Sequence, residues 1–126
     1  METAGESFAR AIAAKDAAAL RAVLSDAIDF QALTPGRHFQ AATGTEVAVE
    51  IILGRWFAPA RIDQLCSVAA GEVAGRGHVT YRLRVRAWDG DYLVEQQAYY
   101  DTNGDGRIGW MRLLCSGYQP VLEPAG

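Results

Sequence analysis

The stretch YRLRVRAWDGDYLVEQQAYY, Tyr81 to Tyr100, decides the fold. Apolar and charged residues alternate on both sides of Asp89-Gly90, which is the period of a half-buried strand. Asp-Gly suits the two positive-φ positions of a type I′ turn, so the segment predicts a hairpin with Trp88 facing Asp91. In that register Val85 lies opposite Val94, Leu83 opposite Gln96, Tyr81 opposite Ala98 and Val79 opposite Tyr100. On the other face Arg84 meets Glu95, Arg82 meets Gln97 and His78 meets Asp101. One face is apolar and the other pairs polar groups, and a slip by one residue spoils both.

Working upstream, the first third reads as helical. Thr3 and Glu6 have capping-box spacing, and Phe8, Ala11 and Ile12 form one apolar stripe. Asp16 caps a second helix whose buried side is Leu20, Val23 and Leu24. FQALTPGRHFQ then predicts a short hairpin, with Pro35-Gly36 in a type II turn. Thr43 and Glu46 open a third helix with Val49, Ile52, Leu53 and Trp56 on its buried face, stopped near Pro59. From Ile62 onward the pattern is strand.

Downstream, DTNGDGRI (Asp101 to Ile108) matches the start of a calcium loop at Asp101, Asn103, Asp105 and Gly106. The position that needs a bidentate Glu holds Arg112, and the segment before it is a strand rather than a helix. A tight turn between antiparallel strands is the better reading, and no metal or cofactor is expected.

The composition bounds the function. A chain of 126 residues, 50% hydrophobic and 21% charged, suits a single domain spanning 1–126. Twelve basic and fifteen acidic residues give a net charge of −3, which argues against nucleic acid as a partner. No apolar run is long enough to cross a bilayer, and METAGESFAR lacks the layout of a signal peptide. Cys66 and Cys115 are too few for a disulfide framework. A cytoplasmic protein with two free thiols, no membrane contact and a tail (VLEPAG) beyond the fold is expected.

KDAAALRAVLSDAIDF, ATGTEVAVEIILGRWF and DGRIGWMRLLCSG, in the order helix, helix, hairpin, helix and a run of strands, resemble the nuclear transport factor 2-like superfamily. That group includes the SnoaL-like cyclases and the ketosteroid isomerases. The resemblance implies an α+β roll in which a curved antiparallel sheet forms a cone around three N-terminal helices, leaving an apolar pocket. It also implies pairing of two copies through the outer sheet face. The catalytic groups of ketosteroid isomerase do not carry over. Its helix-1 Tyr falls on Phe8, its general base on Ala32 with Thr34 nearby, and its protonated Asp on Gln96 or Ala98.

The inward side of the sheet then carries Val79, Tyr81, Leu83, Val94, Gln96, Ala98 and Tyr100. A bulge at Gly109 turns Met111, Leu113 and Cys115 inward and keeps Arg112 out; straight alternation would bury Trp110 and Arg112 instead. The expected pocket is Phe8, Trp56, Tyr81, Leu83, Gln96, Tyr100, Met111 and Cys115. Gln96 either holds a ligand carbonyl or hydroxyl, or bonds Tyr100 or a buried water. Tyr81 and Tyr100 either orient a ligand or serve as wall. Trp56 belongs to the core near the mouth or floor. Cys115 has no base beside it and reads as a small hydrophobe. His38 is a candidate for the pocket rim, and His78 with Asp101 reads as a surface ion pair. Outside, Arg82, Arg84, Tyr99 and Trp110 are the expected homodimer face.

Three functions fit these residues. The first is binding of a small hydrophobic or aromatic molecule. The second is a cyclase, isomerase or dehydratase acting on a polyketide- or steroid-like substrate. The third is a homodimeric interaction module whose cavity is filled by its own side chains.

Overall fold

The computed structural model describes residues 2–88 and 90–121. Asp89, half of the Asp-Gly turn reading, and the tail from residue 122 lie outside them. Helix α1 (Ala4–Ala13) begins with the expected capping box: the Glu6 N–H donates to Thr3 Oγ1 and the Thr3 N–H to Glu6 Oε1, both at 3.1 Å. Its face of Phe8, Ala11 and Ile12 is buried. Helix α2 (Ala17–Val23) is capped by Asp16, which accepts from the Ala19 N–H at 3.0 Å. It ends one residue sooner than expected, because Leu24 already opens strand β1.

Between the two helices Lys15 adopts a left-handed backbone, φ 51°. Its ammonium donates to the carbonyls of Phe57 and Ala60, each at 2.7 Å. These carbonyls follow the third helix, so one side chain ties the turn between α1 and α2 to the segment where that helix ends.

That third helix, α3 (Glu46–Trp56), corrects an expectation. Its cap forms as predicted, with the Glu46 N–H on Thr43 Oγ1 at 3.1 Å. It is wound as a π-helix, however, and Phe57 N–H bonds the Ile52 carbonyl five residues back, at 3.0 Å. The wider turn brings residues four and five apart onto one side. Val47, Ile51, Ile52 and Trp56 are therefore buried, while Val49 is 41% exposed.

The seven strands are β1 (Leu24–Thr34), β2 (Arg37–Thr43), β3 (Ala60–Val73), β4 (Arg76–Ala87), β5 (Gly90–Thr102), β6 (Ile108–Cys115) and β7 (Gln119–Pro120). They form one curved, unclosed sheet in the order β2-β1-β6-β5-β4-β3, with β7 laid on β5. The sheet is mixed rather than purely antiparallel, because β1 runs parallel to β6. The β1–β2 hairpin turns at Pro35-Gly36 as read, with Gly36 at φ 74°. No helix among the described residues is long and apolar enough to cross a membrane.

The central hairpin keeps its predicted faces but not its predicted partners. Ala87 pairs with Gly90, where Trp88 was expected to pair with Asp91, and every pair shifts by two. Leu83 faces Val94, Tyr81 faces Gln96, and Val79 faces Ala98. An even shift preserves the inside and outside of both strands, which is why the burial pattern agrees. Trp88 takes a positive φ of 54° in the loop, and its ring packs on Tyr92 and Tyr118 with centroids at 5.7 and 5.4 Å. Those ring contacts favour this register over the expected one. On the outer face Arg82 pairs with Glu95 at 3.1 Å and Arg86 with Asp91 at 3.3 Å. His78 faces Tyr99, and Asp101 is paired with Arg76 at 3.5 Å instead.

The last turn and strand follow the sequence. DTNGDGRI links β5 to β6, with Gly106 at φ 82° and the Arg107 N–H on Asp105 Oδ1 at 3.0 Å. Asp101 pairs with Trp110 but Thr102 with Ile108, so Gly109 is the extra residue of a bulge. Met111 and Leu113 consequently face the core, and Arg112 lies outside beside Trp110 and Asp29.

Candidate functional site

Cross-strand pairing arranges the interior in rows. Tyr81, Gln96 and Cys115 form one row across β4, β5 and β6. The Tyr81 hydroxyl donates to Gln96 Oε1 at 2.5 Å, and Phe8 of α1 meets the Tyr81 ring edge-on at 6.3 Å. Gln96 is 1% exposed and is the one buried polar side chain among the described residues. Its Nε2 has no hydrogen-bond partner. A buried amide N–H left unpaired is costly.

Burial raises the Tyr81 pKa well above its ordinary value, and proximity to Cys115 adds to the shift. The phenol is therefore a hydrogen-bond donor at neutral pH and not a base. No Asp, Glu or His among the described residues is buried. Among the described residues the interior thus carries an amide and a phenol as its polar groups, and no carboxylate or imidazole with which to move a proton.

On either side of this row the lining differs. Toward one end lie Tyr100 and Met111, partners across β5 and β6. The Tyr100 hydroxyl accepts from the Gly5 N–H at 3.0 Å. Gly5 and Gly77 leave the room this ring needs: a Cβ on Gly5 would sit 2.8 Å from Tyr100 Cε1. Tyr100 is thus an anchor for the start of α1, and Gln96 bonds Tyr81 rather than Tyr100. Toward the other end Leu83 faces Val94, two residues from Gln96 on the same side of β5.

Beyond Val94 a groove of about 420 Å³ opens, lined in part by Thr34, Arg55, Trp56, Phe57, Val94 and Tyr118. Trp56 is 8% exposed, and its indole Nε1 also lacks a partner. Its ring packs against Phe30 and Phe39 at 6.4 and 5.6 Å. Across the groove the Tyr118 hydroxyl donates to the Trp56 carbonyl. Its ring stacks edge-on with Phe57 and Tyr92, and burial pushes its pKa up to about 12.

Of the eight residues expected in the pocket, Phe8, Tyr81, Leu83, Gln96 and Met111 are fully buried. Trp56 reaches the groove, Tyr100 is engaged with α1, and Cys115 is half-buried, its sulfur accepting from the Gly117 N–H at 3.3 Å. His38 is not at this rim. It lies on the outer face with its ring nitrogen 3.1 Å from Gln31 Oε1. Arg55, Phe57 and Tyr118 were missed. The first two follow from where α3 ends, and Tyr118 from the short segment that β7 returns to β5.

No protein-family model matches the chain, and no curated protein sequence matches it significantly. Solved structures do. An LEH-like epoxide hydrolase of Mycobacterium tuberculosis is 17% identical, TM-score 0.62, over 90% of this chain and 80% of that one. A proposed isomerase of the SnoaL-like family from Agrobacterium tumefaciens is 15% identical, TM-score 0.57, over 90% and 95%. A nuclear transport factor 2-like protein of unknown function from Burkholderia xenovorans is 14% identical, TM-score 0.59, over 98% and 85%. Helix order, sheet order and these likenesses agree: the chain has the fold of the nuclear transport factor 2-like superfamily.

Proposed function

We propose that the protein binds a small apolar molecule inside the cone, with the Gln96 amide donating to an oxygen of that molecule. The observation that carries this reading is the unpaired Nε2 of Gln96 amid a hydrophobic interior. Tyr81 occupies the amide oxygen and so fixes which end of the side chain is left to a guest. The groove beside Val94, which lies two residues from Gln96 on the same side of β5, has a volume of 420 Å³, in the range of small-molecule sites. Binding is favoured over cyclisation, isomerisation or dehydration because those reactions need a proton acceptor, and the buried interior presents none. Native mass spectrometry of the freshly purified protein tests the reading. It should reveal an adduct of low mass that is lost in Gln96→Leu; a protein that carries no adduct and takes up no apolar probe speaks for a self-filled core.

We further propose that two copies pair through the outer sheet face. The support lies at β1, β5 and β6, where Leu33, Tyr99 and Leu114 are 51, 39 and 49% exposed around a shallow groove of about 530 Å³. Contiguous exposed apolar surface of this kind marks an interaction face. Arg82, Arg84 and Trp110, expected at its centre, lie beside it: Arg82 and Arg84 engage Glu95 and Asp91, and Trp110 is covered by Arg76 and Arg112.

A further inference from the structure

We infer that the groove at the cone mouth selects molecules with a carboxylate head, held by Arg55 with support from Arg37. This rests on the interior-binding reading and specifies its ligand. Two guanidinium groups converge on one ring: Arg37 lies 4.7 Å and Arg55 5.7 Å from the centroid of Phe39. Among the described residues neither has an ion-pair partner, whereas eight other arginines do. A chain with a net charge of −3 has acids to spare, yet none of the groove-lining residues is acidic. A planar carboxylate matches the fork of Arg55, the one charged side chain on the groove.

The rest of the groove fits the body of such a molecule. Trp56, on the wall next to Arg55, is more than nine-tenths buried and keeps an unpaired indole N–H. Phe57, Val94 and Tyr118 supply apolar surface in the same groove, and Val94 stands two residues from Gln96 on β5. The chemical class is therefore an aromatic or aliphatic acid with its carboxylate outward and a second oxygen, a hydroxyl or carbonyl, at the inner end toward Gln96.

The test compares 6-hydroxy-2-naphthoic acid with its methyl ester, which carry an oxygen at the far end and differ in charge but scarcely in shape, by fluorescence titration at pH 7. The acid should bind about tenfold tighter than the ester, in keeping with a charge-assisted hydrogen bond. Arg55→Ala should reduce the acid to the ester's affinity and leave the ester unchanged, while Arg55→Lys restores part of the difference. Raising the salt should weaken the acid alone. Equal binding of acid and ester, both indifferent to Arg55→Ala, overturns the carboxylate assignment and leaves the interior site standing. Binding of neither probe overturns both readings.

Discussion

Tyr81 and Gln96 face each other across β4 and β5, and the phenol donates to the amide oxygen at 2.5 Å. Removing one partner should cost more than removing both. Tyr81→Phe strands the whole Gln96 amide in the core and should lower stability by about 1–3 kcal/mol. Tyr81→Phe with Gln96→Leu should recover most of that loss, since no buried polar group is then left over. Urea denaturation of the single and double variants measures this coupling, and purely additive losses would show that the pair is not buried as described.

The contact between Gly5 and Tyr100 sets a sign. In an exposed helix Gly→Ala is favourable, by up to about 1 kcal/mol. At Gly5 the added methyl meets the Tyr100 ring at 2.8 Å, and overpacking of this kind costs about 1–3 kcal/mol. Gly5→Ala should therefore lower the melting temperature, and a rise would contradict the packing. Tyr100→Phe should cost about 1 kcal/mol through the lost bond to the Gly5 N–H.

These two contacts show what the sequence could and could not convey. Alternation from Tyr81 to Tyr100 settles which side chains face inward, but it constrains only parity. Pairing Ala87 with Gly90 or Trp88 with Asp91 satisfies it equally, and the observed register goes with the packing of Trp88 on Tyr92 and Tyr118. The capping residues Thr3, Asp16 and Thr43 were legible because they act within a few residues. The π winding of α3 was not: the spacing of Val49, Ile52, Leu53 and Trp56 satisfies an ordinary helix, yet Val49 faces out. The parallel pairing of β1 with β6 and the role of Tyr100 depend on residues some 80 to 95 positions apart, which leave no local pattern. Gln96 was legible as an inward amide, but its partner depended on the two-residue register.

Alkaline pH should destabilise the fold. Burial raises the pKa of Tyr81, and pushes that of Tyr118 up to about 12, from the unfolded value of 10.0. The folded state then holds protons that the unfolded chain releases, so stability is full below pH 10 and falls above it. An absorbance titration should show two tyrosines ionising late, together with unfolding. Tyr81→Phe and Tyr118→Phe should each remove one of them. Normal early titration of all the tyrosines would deny their burial.

The outer face gives a separate outcome. Leu33→Glu with Leu114→Glu should convert a dimer to a monomer in sedimentation, with the helical circular dichroism unchanged, since both side chains are about half exposed. A wild-type protein already monomeric at high concentration removes the pairing proposal.

The central claim is that the Gln96 amide meets a guest inside the cone, and nitrogen-15 NMR of that side chain tests it most directly. On titration with methyl 6-hydroxy-2-naphthoate the Gln96 amide protons should shift strongly, with the Trp56 indole proton moving alongside. If the probe moves only resonances of Leu33, Tyr99 and Leu114 on the outer face and leaves Gln96 unchanged, the interior is not the binding site.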